Sequence, residues 1–143
     1  MKPKKALIFD DNEMLRTLLT EILTHEQFEV TAFSDPISFI SQQEKTCCHR
    51  ETEPCFDVII TDNAMPGMTG LEFLERLKSF GCKLADQRKA IISGNWSADD
   101  LIRAKKINSK VFHKPVPIDV LIQWLADFRG RNNTELTHRH QLL

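Results

Sequence analysis

Asp10, Asp11, Asp62, Ser93 and Lys114 are the side chains of this sequence best suited to chemistry, and each stands at the end of a short apolar run. Three carboxylates gathered at one place repel each other, a cost without purpose in a structural role. A divalent hard cation removes that cost. Mg²⁺ takes about six oxygen ligands and usually keeps several waters, so one or two carboxylates plus a phosphate suit it. A lysine adds a compact positive charge for a carboxylate or a phosphoryl oxygen. Ser93 offers a hydroxyl, and Gly94 beside it leaves room for a phosphoryl group near the backbone. A carboxylate can itself be the nucleophile, forming an aspartyl phosphate, and phosphoryl transfer mostly needs positioning and charge neutralisation.

These residues meet only if the elements before them run side by side. Hydrophobic patterning predicts strands over Lys5–Phe9, Phe28–Phe33, Asp57–Thr61, Lys89–Ser93 and Lys110–His113. Leu15, Leu18, Leu19, Ile22 and Leu23 make the amphipathic stripe of a first helix over Asn12–His25. Asp35-Pro36 reads as N-cap and first position of a second helix. Thr69 and Glu72 have capping-box spacing for a third, which stops near Gly81. Ser97 opens a fourth helix, and Pro117 begins a fifth that carries Val120, Leu121, Trp124, Leu125 and Phe128. Strands alternating with helices imply a parallel α/β sheet covered on both faces. Ligands of such sheets bind beyond the carboxyl ends of the strands, so all five residues fall on one rim.

The segments FDDN (9–12), IITDNAMPGMTG (59–70), ISG (92–94) and HKPV (113–116) resemble, in that order, the four signatures of the receiver domain of two-component response regulators. The resemblance covers roughly residues 4 to 129. It implies a doubly wound, flavodoxin-like sheet of order 2-1-3-4-5 with five helices, a receiver domain over 1–129 and a tail over 130–143. It implies Asp62 as phosphoacceptor, with Asp10, Asp11, Asp62 and the backbone carbonyl of Ala64 holding Mg²⁺ (or Mn²⁺). Ser93 would be the switch hydroxyl and Lys114 its cationic partner. A sensor histidine kinase or a histidine phosphotransfer protein would be the donor, and the Lys114-Pro115 bond is a place for a cis peptide. Pro66-Gly67 supplies turn chemistry for the loop after Asp62.

Other readings stand beside these. Asp10-Asp11 could cap the first helix, alone or with one of the pair on a metal. A haloacid-dehalogenase-type phosphotransferase also uses a strand-end Asp with Mg²⁺, but it expects a second Asp two positions on, where this chain has Ala64. A degenerate receiver would bind partners without phosphorylation, yet every acidic residue and the lysine are present. Cys47, Cys48, His49 and Cys55 lack the paired spacing of a zinc site, and the four cysteines, Cys82 included, read as reduced thiols.

Composition narrows the class further. The chain has 143 residues, 41% hydrophobic and 27% charged, which suits one globular domain. A net charge of -1 gives no global field for nucleic acid or an anionic membrane. No apolar run reaches membrane-spanning length and Met1–Lys5 is no signal-peptide core, so the expected address is the cytoplasm. After Phe128 only a basic tail remains, so output is expected through another protein docking on the fourth helix, fifth strand and fifth helix, or through passing the phosphoryl group on.

Two positions that tune hydrolysis in this family, two residues after the acceptor and two after the switch hydroxyl, are Ala64 and Asn95 here. Ala64 has no polar group to orient an attacking water, although Asn95 could orient one, so self-dephosphorylation is expected not to be fast. The aromatic that receivers often carry three positions before the strand-five lysine is replaced by Val111. Phe112 has the opposite parity and is expected to face the core.

Overall fold

The computed structural model describes residues 4–43 and 56–128. Cys47, Cys48, His49, Cys55 and the tail from residue 130 lie outside them. The elements are β1 (Lys4–Phe9), α1 (Glu13–His25), β2 (Phe28–Phe33), α2 (Pro36–Gln43), β3 (Val58–Asp62), α3 (Gly70–Ser79), a 3₁₀ turn (Asp86–Arg88), β4 (Lys89–Ser93), α4 (Ala98–Lys106), β5 (Lys110–His113) and α5 (Ile118–Ala126). The strands form one parallel sheet of order β2-β1-β3-β4-β5, as expected.

Strand side chains alternate between faces, and that parity divides the core. Ala6, Ile8, Val58, Ile60, Ala90, Ile92 and Phe112 face one way and pack with Leu19 and Leu23 of α1 and Leu121 and Leu125 of α5. Leu7, Phe9, Ile59 and Ile91 face the other way, under Phe39 of α2, Leu71, Phe73, Leu74 and Leu77 of α3, and Ala104 of α4. Phe112 is therefore in the core as its parity requires, and Val111 lies half-buried on the opposite face. Phe9 anchors an aromatic cluster, its ring 4.7 Å from Phe73, 5.6 Å from Phe39 and 5.8 Å from Phe33.

Several boundaries differ from the sequence reading. Asn12 and not Asp10 or Asp11 caps α1, its side chain accepting the Leu15 N–H at 3.0 Å. Asp62 belongs to β3, with Ile92 as its register partner. Asp57 precedes the strand and is held by Lys5, whose N–H donates to its Oδ2 at 2.7 Å. Pro117 caps α5 in an extended conformation instead of starting it. The predicted capping box on α3 is complete: Thr69 accepts from Glu72 N–H and Glu72 from Thr69 N–H. Gly81 ends that helix with φ 81°, a value that glycine adopts without strain.

Candidate functional site

The carboxyl ends of β1, β3, β4 and β5 converge on one rim. Asp10 follows β1 directly and is 0% exposed, its N–H donating to the Phe33 carbonyl at 3.1 Å. Its Oδ1 accepts the Asn12 N–H at 2.9 Å, while Arg16 Nη1 donates to its backbone oxygen at 2.8 Å. Asp62 is 2% exposed. Lys114 Nζ lies 3.3 Å from Asp62 Oδ1, which also accepts a long 3.4 Å bond from Ala64 N–H. Asp11 is exposed at the mouth. One carboxylate oxygen from each of Asp10, Asp11 and Asp62 lies within 4.8 Å of the others, and no second group of this kind occurs among the described residues.

This arrangement is short of positive charge. Burial pushes the Asp10 carboxyl up to about 6, with the neighbouring Asp62 and Asp11 charges adding to it and the Asn12 N–H and Lys114 opposing it. Burial likewise raises Asp62, and Lys114 offsets part of the rise. Asp10 Oδ2 is buried with no hydrogen-bond partner, and a buried anionic oxygen left so is costly. A hard divalent cation among these oxygens would satisfy Oδ2 and relieve the repulsion, so the donor set fits one.

Around this centre the loops are tied to the sheet. Asn63 donates its N–H to the Ile92 carbonyl at 2.9 Å, and its side-chain oxygen accepts the Leu71 N–H at 3.0 Å. A single buried asparagine thereby links β3, β4 and the start of α3. Gly70 packs directly against the Asp62 backbone: a Cβ there would collide with the Asp62 carbonyl oxygen and lie 2.9 Å from Thr61 Cγ2. Gly67 turns the intervening loop with φ 82°. Ser93 is buried, its Oγ accepting the Asn95 N–H at 3.2 Å. The Lys114-Pro115 bond is cis. A Cβ on Gly94 would meet Lys114 Cβ at an ordinary 3.6 Å, so space alone does not require glycine there.

Asp10, Asp11, Asp62, Ala64, Ser93 and Lys114 therefore all belong to this rim. Sequence reasoning passed over Asn63, Arg16 and Trp96, whose roles depend on partners 8, 6 and 16 positions away.

Comparison with known proteins gives the same picture. The chain is 26% identical over 120 residues to sporulation initiation phosphotransferase F of Bacillus subtilis, covering 84% of this chain and 87% of that protein. It is also 26% identical over 140 residues to the transcriptional regulatory protein FlgR of Helicobacter pylori, covering 97% of this chain but only 32% of that longer protein. A crystal structure of a response regulator receiver domain protein from Clostridium thermocellum shares the fold, with a TM-score of 0.67 at 22% identity over 98% of this chain and 99% of that one. The family model described as response regulator receiver domain matches residues 6–126, the same span that carries the acidic rim and its lysine. The chain belongs to the response regulator receiver domain family, whose members are phosphorylation-controlled modules of two-component signalling.

Proposed function

We propose that Asp62 accepts a phosphoryl group from a phosphohistidine of a sensor histidine kinase or a histidine phosphotransfer protein. The observation that carries this is a carboxylate 2% exposed at a strand end, 3.3 Å from a lysine and grouped with two further aspartates. In the transfer, an Asp62 oxygen attacks phosphorus, the P–N bond breaks as the P–O bond forms, and the leaving imidazole keeps the electron pair and takes a proton. Lys114 holds the carboxylate in place and then faces the phosphoryl oxygens. Ser93 turns its hydroxyl toward the same oxygens. Asp10, Asp11, Asp62 and the Ala64 carbonyl would hold Mg²⁺ (or Mn²⁺), which supplies charge neutralisation for the transferring group.

The chain acts on itself in this reading and turns over no separate substrate. Position 64 has no carboxylate to serve as the acid/base of a dehalogenase-type phosphatase, and Ala64 offers no side chain to aim an attacking water, so the aspartyl phosphate hydrolyses slowly. Output passes to a protein docking on α4, β5 and α5, where Leu101, Ile102 and Val120 are exposed. No helix among the described residues is long and apolar enough to cross a membrane, and we place the protein in the cytoplasm, acting without direct contact to nucleic acid. Incubation with acetyl phosphate followed by intact mass measurement tests the reading. One phosphoryl adduct is expected with Mg²⁺ and none with EDTA. An adduct that forms equally well in EDTA would overturn it.

A further inference from the structure

The loop from Gly94 to Ser97 carries only four residues between β4 and α4, and three of them are fastened. Asn95 N–H donates to Ser93 Oγ at 3.2 Å. Ser97 caps α4, its hydroxyl accepting the Asp100 N–H at 3.0 Å. Between them Trp96 reaches back to the edge strand, its indole Nε1 donating to the Phe112 carbonyl at 3.1 Å. The half-buried ring meets His113 edge-on at 6.3 Å and packs against the same cluster as Val111. Ser93 is itself anchored to the residue just after β5, its carbonyl accepting the Lys114 N–H at 3.0 Å. The loop is therefore pinned at its centre by one directional bond, from a side chain two bonds of contact away from the switch hydroxyl.

We propose that Trp96 is a positioning residue for Ser93: its indole bond to the Phe112 carbonyl holds the 94–97 loop, and through the Asn95 N–H the Ser93 hydroxyl, in the resting arrangement. The inference rests on the reading of Asp62 as acceptor and Ser93 as its hydroxyl. In this proposal Ser93 Oγ gives up the Asn95 N–H as it moves toward a phosphoryl group on Asp62. That frees Asn95 and draws the short loop with it, and the indole bond opens. A large ring anchored in the loop thus takes over, by detachment, the coupling that Val111 is too short and too stiff at χ1 to provide. Because the indole bond favours the resting state, it lowers the apparent affinity for anything that requires the engaged one. A net hydrogen bond of ordinary strength corresponds to roughly a two- to ten-fold effect.

The test uses the full chain with Mg²⁺ and beryllofluoride as the phosphoryl mimic. The sequence has two tryptophans, so Trp124→Phe assigns the Trp96 indole N–H signal in ¹H–¹⁵N spectra, while ¹⁹F spectra report bound beryllofluoride. We expect the Trp96 indole N–H to shift upfield and exchange faster with water on binding, with Trp124 unchanged. Trp96→Phe, which keeps a ring and loses the donor, should bind beryllofluoride two- to ten-fold more tightly. A bound ¹⁹F signal with an unmoved Trp96 indole, or wild-type affinity in a folded Trp96→Phe variant, would overturn the inference alone. Absence of any bound beryllofluoride would overturn the acceptor reading and this inference with it.

Discussion

Replacing Asp10 with Asn takes a charge away from a side chain that is 0% exposed and holds an oxygen without a hydrogen-bond partner. Its carboxyl is raised from 3.8 to about 6, chiefly by burial. At about 1.36 kcal/mol for each tenfold change in proton affinity, ionising it in the metal-free fold costs about 3 kcal/mol. The sign follows from which state holds the proton more tightly. The folded state does, so the contribution of Asp10 to stability is fully present below 3.8 and is lost as the pH rises through about 6. Asn keeps an oxygen for the Asn12 N–H and carries no charge, so it should recover roughly 1–3 kcal/mol at pH 7.5. For a chain of this size that is a rise in Tm of roughly 3–10 °C. Thermal and urea unfolding in EDTA at pH 4 and pH 7.5 would measure it. Added Mg²⁺ should reverse the order, stabilising the wild type more than the variant. The reasoning fails if Asp10→Asn in EDTA at pH 7.5 is no more stable than the wild type, or if its advantage persists undiminished at pH 4.

Gly70→Ala should cost roughly 1–3 kcal/mol in urea unfolding, because its Cβ meets backbone and Thr61 rather than a movable side chain; a cost near zero would mean the α3 start shifts freely. Ala64→Asn should hasten decay of the aspartyl phosphate several-fold by offering a group that orients water, and an unchanged decay rate would remove position 64 from that role. The Arg103–Glu75 pair joins α4 to α3 through two contacts of 2.6 and 3.1 Å. Because both side chains are about a third exposed, a double-mutant cycle should give only about 0.5–1 kcal/mol of coupling. A value near zero would show that α4 is held by its apolar contacts alone.

What the sequence made legible is what short-range pattern controls. Phe28–Phe33 and Lys89–Ser93 are strands with the predicted bounds, since each is a β-prone run closed by turn residues. The Thr69–Glu72 capping box and the stop at Gly81 depend on neighbours three positions away or fewer. The Val111/Phe112 assignment followed from period-two alternation alone. The rim itself was legible because parallel topology forces every strand end to one side. Burial of charge was not. Lys89 is 3% exposed inside a run that reads as apolar from Ala90 onward, and its charge is met by Asp86 at 3.6 Å. Arg88 lies over the Phe128 ring at 5.0 Å, a partner 40 positions on. The identity of the α1 cap turned on geometry: Asp10 spends its Oδ1 on Asn12 N–H, leaving Asn12 to reach Leu15. Three adjacent polar residues cannot announce that division of labour.

The central claim, that Asp62 is the single acceptor, is tested most directly by locating the phosphoryl group. After reaction with acetyl phosphate and Mg²⁺, borohydride reduction converts an aspartyl phosphate to homoserine, and peptide mass mapping finds the altered residue. The account predicts conversion at Asp62 only, with none in Asp62→Ala and none in the wild type without the divalent cation. Conversion at Asp10 or Asp11, or undiminished labelling of Asp62→Ala, would contradict it.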